Sequence, residues 1–145
     1  MSRSKRLQVI QTLADREEAI TSRKVADKLF DLQVEEQRLE QLSTYLDEYR
    51  ALASNDPDVA DITTIRNRRE FVERLQICVR QQRDLVESLC EQLEAQMEEW
   101  NTTRSKSKSI QRFSERRADE TRDTEARKEQ AILDEIGRLQ FLNQS

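Results

Sequence analysis

Two cysteines, Cys78 and Cys90, are the residues best suited to nucleophilic or metal chemistry, and the sequence has no histidine to assist them. Their spacing matches neither a Cys-x-x-Cys pair nor a zinc-binding pattern. On one helix they would lie about 18 Å apart along the axis, which is beyond the reach of a disulfide. We therefore expect two reduced thiols, each at least half buried, and no metal site.

Adjacent glutamates are the next candidates, at Glu17-Glu18, Glu35-Glu36 and Glu98-Glu99. Carboxylate metal sites in helical bundles combine glutamates with Glu-x-x-His pairs, and this sequence cannot form such a pair. A glycine-rich phosphate loop is also excluded, because the chain has a single glycine. These features predict solvated helix faces, no cofactor and no enzymatic activity.

The basic residues cluster late in the chain. Residues 101–128 contain nine Lys or Arg and five Asp or Glu, an excess of four positive charges, whereas the whole chain has a net charge of -4. The segment from Arg104 to Ser109 alternates cations with serines and could contact phosphate groups. Because no aromatic residues are interleaved with these cations, we expect no binding to nucleic acid.

The elements that position these residues are long helices, because the chain has one Gly and one Pro. One set of positions in the second half recurs at alternating steps of three and four, which is the heptad seam of a coiled coil. Its members are Val72, Leu75, Val79, Gln82, Val86, Leu89, Leu93, Gln96, Trp100, Thr103, Ser107, Ile110, Ser114 and Arg117.

Turn-forming residues around Pro57 divide the chain. We predict a first helix over about 4–53, a turn over about 54–60, a second helix over about 61–136 and a frayed tail over 137–145, all in one domain. The first helix should pack through one drifting stripe, namely Leu7, Ile10, Leu13, Ile20, Val25, Leu29, Leu32, Leu39, Leu42, Leu46, Tyr49 and Ala53.

The predicted fold is all-α, a long two-helix antiparallel coiled-coil hairpin with a longer, overhanging second helix. In it Leu7 lies near residues 105–110, and the chain from Phe113 onward has no intrachain partner. No apolar run approaches the roughly 20 residues that span a bilayer, and the basic start of the chain lacks an apolar segment behind it. We expect a cytoplasmic protein with no direct membrane insertion.

Several seam residues permit two interpretations. Gln82 and Gln96 either recognise a partner or fix the register of the coil, and Trp100 either anchors a partner or packs within the coil. The apolar cluster around Phe71 and Cys78 extends beyond the seam onto its flank. That flank is either a docking surface or is covered by Leu46, Tyr49 or Leu52 of the first helix.

Three segments, taken in order, resemble the FliJ-type flagellar export proteins. They are Tyr45-Leu-Asp-Glu-Tyr49, Phe71-x-x-x-Leu75-x-x-Cys78-x-x-x-Gln82, and Trp100-x-x-x-Arg104-x-Lys106 followed by Gln111-Arg112-x-x-Glu115-Arg116. The resemblance covers nearly the whole chain and includes the helical hairpin. It implies a protein that resembles the central-stalk γ subunit of rotary ATPases and acts in flagellum biogenesis, and hence in motility and chemotaxis.

The resemblance also implies partners and contacts. The partners are a hexameric flagellar export ATPase, the cytoplasmic domain of the export gate membrane protein, and export chaperones, at the cytoplasmic face of the inner membrane. Phe71, Leu75, Cys78 and Gln82 fall at the family positions that contact the gate, with Cys78 in place of a small aliphatic residue and Gln82 in place of a histidine found in some relatives. The ATPase-facing end would include Leu7, Ile10, Arg104, Arg112, Arg116 and Arg117.

Three alternatives stay open from the residues alone. The weakest is an enzyme of helical-bundle type, because the chain lacks histidine, a glycine-rich phosphate loop and a convergent set of polar residues. Two others are favoured over it. One is the equivalent stalk of a virulence type III secretion system, which has the same hairpin. The other is a self-assembling coiled-coil scaffold, which would form stable dimers or larger species on its own.

Overall fold

The computed structural model describes residues 2–55 and 61–144. Helix α1 spans Arg3–Asn55 and contains 53 residues, and helix α2 spans Ile62–Gln144 and contains 83. The two helices pack against each other, so the prediction of an all-α fold with a longer second helix is confirmed. The predicted turn around Pro57 lies outside the described residues.

Both helices begin at a polar residue that suits an N-terminal cap. The backbone carbonyl of Ser2 accepts a bond of 3.1 Å from the amide of Arg6, and its Oγ accepts one of 3.3 Å from the amide of Lys5. Before α2, the carbonyl of Asp61 accepts a bond of 3.0 Å from the amide of Ile65. Serine and aspartate are favoured at this position because their short side chains can satisfy unpaired amides of the first turn.

The contacts divide the chain into two compact units. Unit 1 comprises Met1–Glu18 and Thr102–Ser145, and unit 2 comprises Ala19–Asn101. In unit 2, Lys28 Nζ donates to Gln92 Oε1 at 2.9 Å, and Tyr49 lies against Phe71. As the residue number rises along α1, that of its partner falls along α2, so the helices pair in the antiparallel sense that the sequence predicted.

The predicted seam of α2 is confirmed at every position. All fourteen seam residues are less exposed than their solvent-facing neighbours, and Val79, at 5% exposure, is buried. In unit 2 the seam is mostly aliphatic, whereas in unit 1 it is mostly polar, with Thr103, Ser107, Ser114 and Arg117 around a single isoleucine. Unit 2 therefore contains most of the apolar packing of the protein.

The predicted stripe of α1 is wrong at six of its twelve positions. Ile10, Leu13, Ile20 and Leu29 are 43–58% exposed, and Tyr49 and Ala53 near the end of the helix are exposed as well. The packed positions are instead spaced by strict threes and fours through smaller or polar residues: Leu7, Gln11, Ala14 and Glu18 in unit 1, then Thr21, Val25, Lys28, Leu32, Glu35, Leu39, Leu42 and Leu46 in unit 2. The helix therefore carries exposed apolar residues that the pairing with α2 does not use.

The end of α2 also differs from the prediction. The helix continues through Gln144, where the sequence predicted a frayed tail from 137. The overhang begins later than Phe113, since Ser114 and Arg117 are still partly covered and every residue from 118 to 144 is exposed. Gly137 lies within the helix with open space around it and a negative φ, so it does not act as a left-handed cap.

Candidate functional site

An aromatic pair marks the predicted gate-binding region of unit 2. The rings of Tyr49 on α1 and Phe71 on α2 have centroids 4.6 Å apart and planes tilted by 54°, which is a favourable offset geometry for aromatic rings. Phe71 is still 44% exposed and Tyr49 is 40% exposed. The first helix thus covers this flank only in part, and a broad aromatic surface faces solvent.

The four residues assigned by resemblance to the gate divide into two pairs. Phe71 and Cys78 are exposed, which corrects the prediction that Cys78 is half buried, while Cys90 is partly covered as predicted. Leu75 and Gln82 lie in the seam between α1 and α2 and are only partly accessible. Phe71 and Cys78 are therefore the members of the set that a partner can reach most directly.

Gln82 already has partners within the protein. Its Nε2 donates to the carbonyl oxygen of Glu35 at 2.9 Å and to Glu35 Oε2 at 2.6 Å. The same carboxylate accepts a bond of 2.9 Å from Arg38 on its other oxygen. These contacts favour the interpretation of Gln82 as a residue that fixes the register of the coil.

Leu85 extends the exposed surface that Phe71 and Cys78 begin. It is 43% exposed and follows Cys78 by seven residues, as Cys78 follows Phe71. Residues seven apart lie two helical turns apart on the same face, so the three form one line, which we call the apolar flank. Sequence reasoning missed Leu85, although its seven-residue spacing was a usable signal.

A groove between the two helices marks unit 1 and has a volume of about 840 Å³. Among the predicted ATPase contacts, Leu7 and Arg117 line it. Its lining is Arg3, Ser4, Leu7, Gln8, Gln11 and Asp15 on α1 and Gln111, Ser114, Glu115, Arg117, Ala118, Thr121 and Arg122 on α2. Ile10, Arg104, Arg112 and Arg116 are exposed outside this groove, so the structure does not gather all six predicted residues.

A polar network that the sequence analysis did not anticipate holds the helices together beside this groove. Gln11 Nε2 donates to Asp15 Oδ1 at 2.8 Å and to Ser107 Oγ at 3.3 Å, and Ser107 Oγ donates to Asp15 Oδ1 at 2.6 Å. The hydrogen bond from Ser107, and next that from Gln11, lower the pKa of the Asp15 carboxyl because both stabilise its charged form.

Charge pairs and a cation–π contact complete the geometry of unit 1. Lys106 Nζ lies 3.6 Å from Glu17 Oε2, with both side chains more than half exposed, so the pair contributes little to stability. The guanidinium carbon of Arg117 lies 5.9 Å from the centroid of the Phe113 ring, within the range of a cation–π interaction. Arg117 is thus held at the groove by an aromatic neighbour.

Neither a metal centre nor a membrane span is found in the part of the chain that the structure describes. No group of three or more Cys, Asp or Glu side chains within residues 2–55 and 61–144 could hold a metal ion. Over the same residues, no helix is long and apolar enough to cross a bilayer.

Comparison with models of known protein families gives a match over both helices. The comparisons with curated proteins and with solved structures found no match. The family model described as Flagellar FliJ protein matches residues 3–145, which is nearly the full chain and both helices. This is the family that the three segments of the sequence resemble, and it makes the chain a component of the flagellar export apparatus. The chain belongs to the FliJ family.

Proposed function

We propose that this protein is a non-enzymatic stalk component of the flagellar type III export apparatus. In this proposal unit 1 binds the hexameric export ATPase, unit 2 binds the cytoplasmic domain of the export gate, and the protein works at the cytoplasmic face of the inner membrane. The family resemblance adds the escort of export chaperones. The observation that carries the proposal is the family match over residues 3–145.

The surface chemistry of unit 2 supports its part in the proposal. Apolar anchors near the centre of an interface, aromatic ones above all, supply most of the binding energy in protein complexes. Phe71 presents such an anchor, with Cys78 and Leu85 along the same face. Leu75 and Gln82 then support this surface from within the seam, where they position the helix that carries it.

Unit 1 differs in chemistry and suits a different partner. Arg112 and Arg116 are exposed on α2, and Arg117 lies at the groove with Leu7. A basic surface of this kind speeds encounter with an acidic partner and makes the association depend on salt. Ile10, 47% exposed, and Leu7 supply apolar contacts beside these cations.

The ATPase rate of the cognate export ATPase, titrated with the full-length protein, tests the contact with the ring. Stimulation together with hexamer formation in light scattering supports the proposal. A variant with Arg112→Gln, Arg116→Gln and Arg117→Gln should need a higher concentration for the same stimulation. An unchanged ATPase rate, with stable dimers or larger species of this protein alone, would favour the scaffold alternative instead.

The apolar flank is tested separately by binding to the cytoplasmic domain of the gate. Phe71→Ala should weaken binding by at least about tenfold, which is typical of a central aromatic anchor, without loss of helicity by circular dichroism. Ile77→Ala is the matched control, because Ile77 is 50% exposed and points away from the seam. Equal losses for the two variants would contradict the assignment of the surface.

A further inference from the structure

Unit 2 contains a second groove whose chemistry differs from that of the apolar flank. Its volume is about 350 Å³. The residues that line it are Leu46 and Arg50 on α1 and Gln76, Val79, Arg80 and Arg83 on α2. Leu46 and Val79 are 6% and 5% exposed and close its floor, while all three arginines are exposed. We call this surface the arginine groove.

None of the three guanidinium groups forms an ion pair with another described residue. Arg50, Arg80 and Arg83 have no described carboxylate oxygen within 4.0 Å, whereas Lys24 in the same unit pairs with Glu99 at 3.7 Å. Arg80 and Arg83 are also three residues apart on one helix, where like charges destabilise each other. A bound anion would relieve this repulsion.

The groove lies on the other side of the seam from the apolar flank. At about 100° per residue, Arg83 and Gln76 fall about 40–60° to one side of Val79, and Arg80 falls about 100° to the same side. Phe71 and Cys78 fall about 80–100° to the opposite side. A ligand in the arginine groove therefore need not touch Phe71 or Cys78.

The lining favours carboxylates carried on a polypeptide. A guanidinium group binds a carboxylate through two parallel hydrogen bonds, and the amide of Gln76 adds a further donor. The aliphatic floor of Leu46 and Val79 suits the methylene groups of a glutamate or a neighbouring apolar side chain. No aromatic ring lines the groove on which a nucleic-acid base could stack.

We propose that the arginine groove binds an acidic segment of a partner protein, with Arg50, Arg80 and Arg83 receiving its carboxylates. This site is independent of the proposed contacts with the export gate and the ATPase, because it uses none of their residues. It adds an electrostatic docking site for a protein whose recognition segment combines Glu or Asp with aliphatic residues.

A fluorescence anisotropy titration tests the proposal with the full-length protein and a fluorescein-labelled peptide of repeated Glu-Leu-Ala-Glu units. The triple variant Arg50→Gln, Arg80→Gln and Arg83→Gln should bind the peptide at least about tenfold more weakly, since hydrogen bonds to charged groups exceed that factor. The control triple variant Arg23→Gln, Arg66→Gln and Arg74→Gln loses the same charge from exposed positions of unit 2 outside the groove. It should stay within about twofold of the wild type.

A second variant separates geometry from charge. The triple lysine variant, with Arg50→Lys, Arg80→Lys and Arg83→Lys, keeps the three positive charges but lacks the planar guanidinium groups. Its affinity for the peptide should therefore lie between that of the wild type and that of the glutamine variant.

Hydrogen exchange should show protection by the peptide at residues 46–50 and 76–83. Protection only at residues 104–117 would overturn the proposal, because the peptide would then occupy the basic residues of unit 1.

Two other results would also overturn it. Equal losses in the groove variant and its control would mean that the peptide responds only to net charge. Binding to vesicles of phosphatidylserine and phosphatidylcholine that is lost in the groove variant, without peptide binding by the wild type, would assign the arginines to a lipid surface instead. Circular dichroism of each variant should match that of the wild type, since the substituted side chains are exposed.

Discussion

A substitution of Gln96, in the seam of unit 2, can test whether a buried polar atom without a partner destabilises this coil. Its Oε1 is buried without a hydrogen-bond partner among the described residues. A buried carbonyl oxygen that lacks a partner costs about 1–3 kcal/mol. Gln96→Leu removes that oxygen and places an aliphatic side chain at a seam position, where it buries additional apolar area. We expect this substitution to stabilise the protein.

The size of the effect follows from two contributions. Gln96 is only partly covered, so its unpaired oxygen should cost an amount at the low end of that range. Removing this oxygen should therefore stabilise the protein by about 1 kcal/mol. The added apolar contact contributes up to about 1 kcal/mol. The free energy of unfolding should therefore rise by about 1–2 kcal/mol, which urea unfolding followed by circular dichroism can measure at an unchanged m-value.

The same substitution at Gln82 should lower the free energy of unfolding instead of raising it. Gln82→Leu removes the hydrogen bonds to Glu35, whose side chain is 17% exposed. A hydrogen bond to a charged group contributes about 1.5–3 kcal/mol, more than the leucine recovers, so stability should fall by about 1 kcal/mol. Gln81→Leu, at an exposed position, is the control and should change little.

The comparison of the two substitutions decides the physical explanation. Stabilisation by both Gln82→Leu and Gln96→Leu would mean that the bonds between Gln82 and Glu35 contribute nothing net. No change for Gln96→Leu would mean that its carbonyl is already satisfied, for example by a bound water.

Two further predictions concern unit 1. Gly137→Ala should stabilise the end of α2 by up to about 1 kcal/mol, since an added Cβ meets open space. Amide hydrogen exchange over residues 133–142 should then be slower than in the wild type. The control variant Ala131→Gly should make the exchange of these amides faster. Because the pKa of Asp15 is lowered in the folded state, its contribution to stability is present above the unfolded-state pKa and is lost as the pH falls through the folded-state pKa. An NMR titration of the Asp15 carboxyl should give a higher pKa in Ser107→Ala than in the wild type, and an identical pKa would refute the role of that hydrogen bond.

The seam of α2 was predictable because its own residues define it. Eight of the fourteen seam positions are apolar, Val72, Leu75, Val79 and Val86 among them, and they recur with a period of 3.5, so the buried side is encoded locally. In α1 the first half contains two competing periodicities. Leu39, Leu42 and Leu46 fix an alternation of threes and fours that, counted back along the helix, falls on Thr21 and Ala14 instead of Ile20 and Leu13.

The pairing of the helices was predictable to within about one turn. Folding the chain near Pro57 placed Leu7 near residues 105–110. Gln11, one turn after Leu7, donates from Nε2 to the carbonyl of Ser107 at 3.3 Å, and Leu7 shares its groove with Gln111 and Ser114. In the antiparallel pair Leu7 therefore lies close to the upper end of the predicted range. The exact register depends on the connection between the helices, which periodicity does not specify.

The arginine groove was hidden by the way charge was counted. Residues 66–83 contain six arginines and two glutamates, an excess as large as that of 101–128, but sequence reasoning singled out only the later segment. Even a complete count would not have joined Arg50 to Arg80 and Arg83, because Arg50 lies on the other helix. The convergence of the three depends on the pairing of α1 with α2.

In unit 2 the seam holds the helices together, whereas the apolar flank and the arginine groove are the surfaces proposed to bind partners. This division follows from the burial of the residues concerned. Leu46 and Val79 are almost fully buried and belong to the seam, so truncating either of them should destabilise the coil. Phe71 and Arg80 are exposed on opposite sides of that seam. Because neither side chain is buried in the seam, a substitution at either position should change the binding of one kind of partner and leave the coil intact. A loss of both kinds of binding from a single substitution would instead indicate that the coil itself had been disrupted.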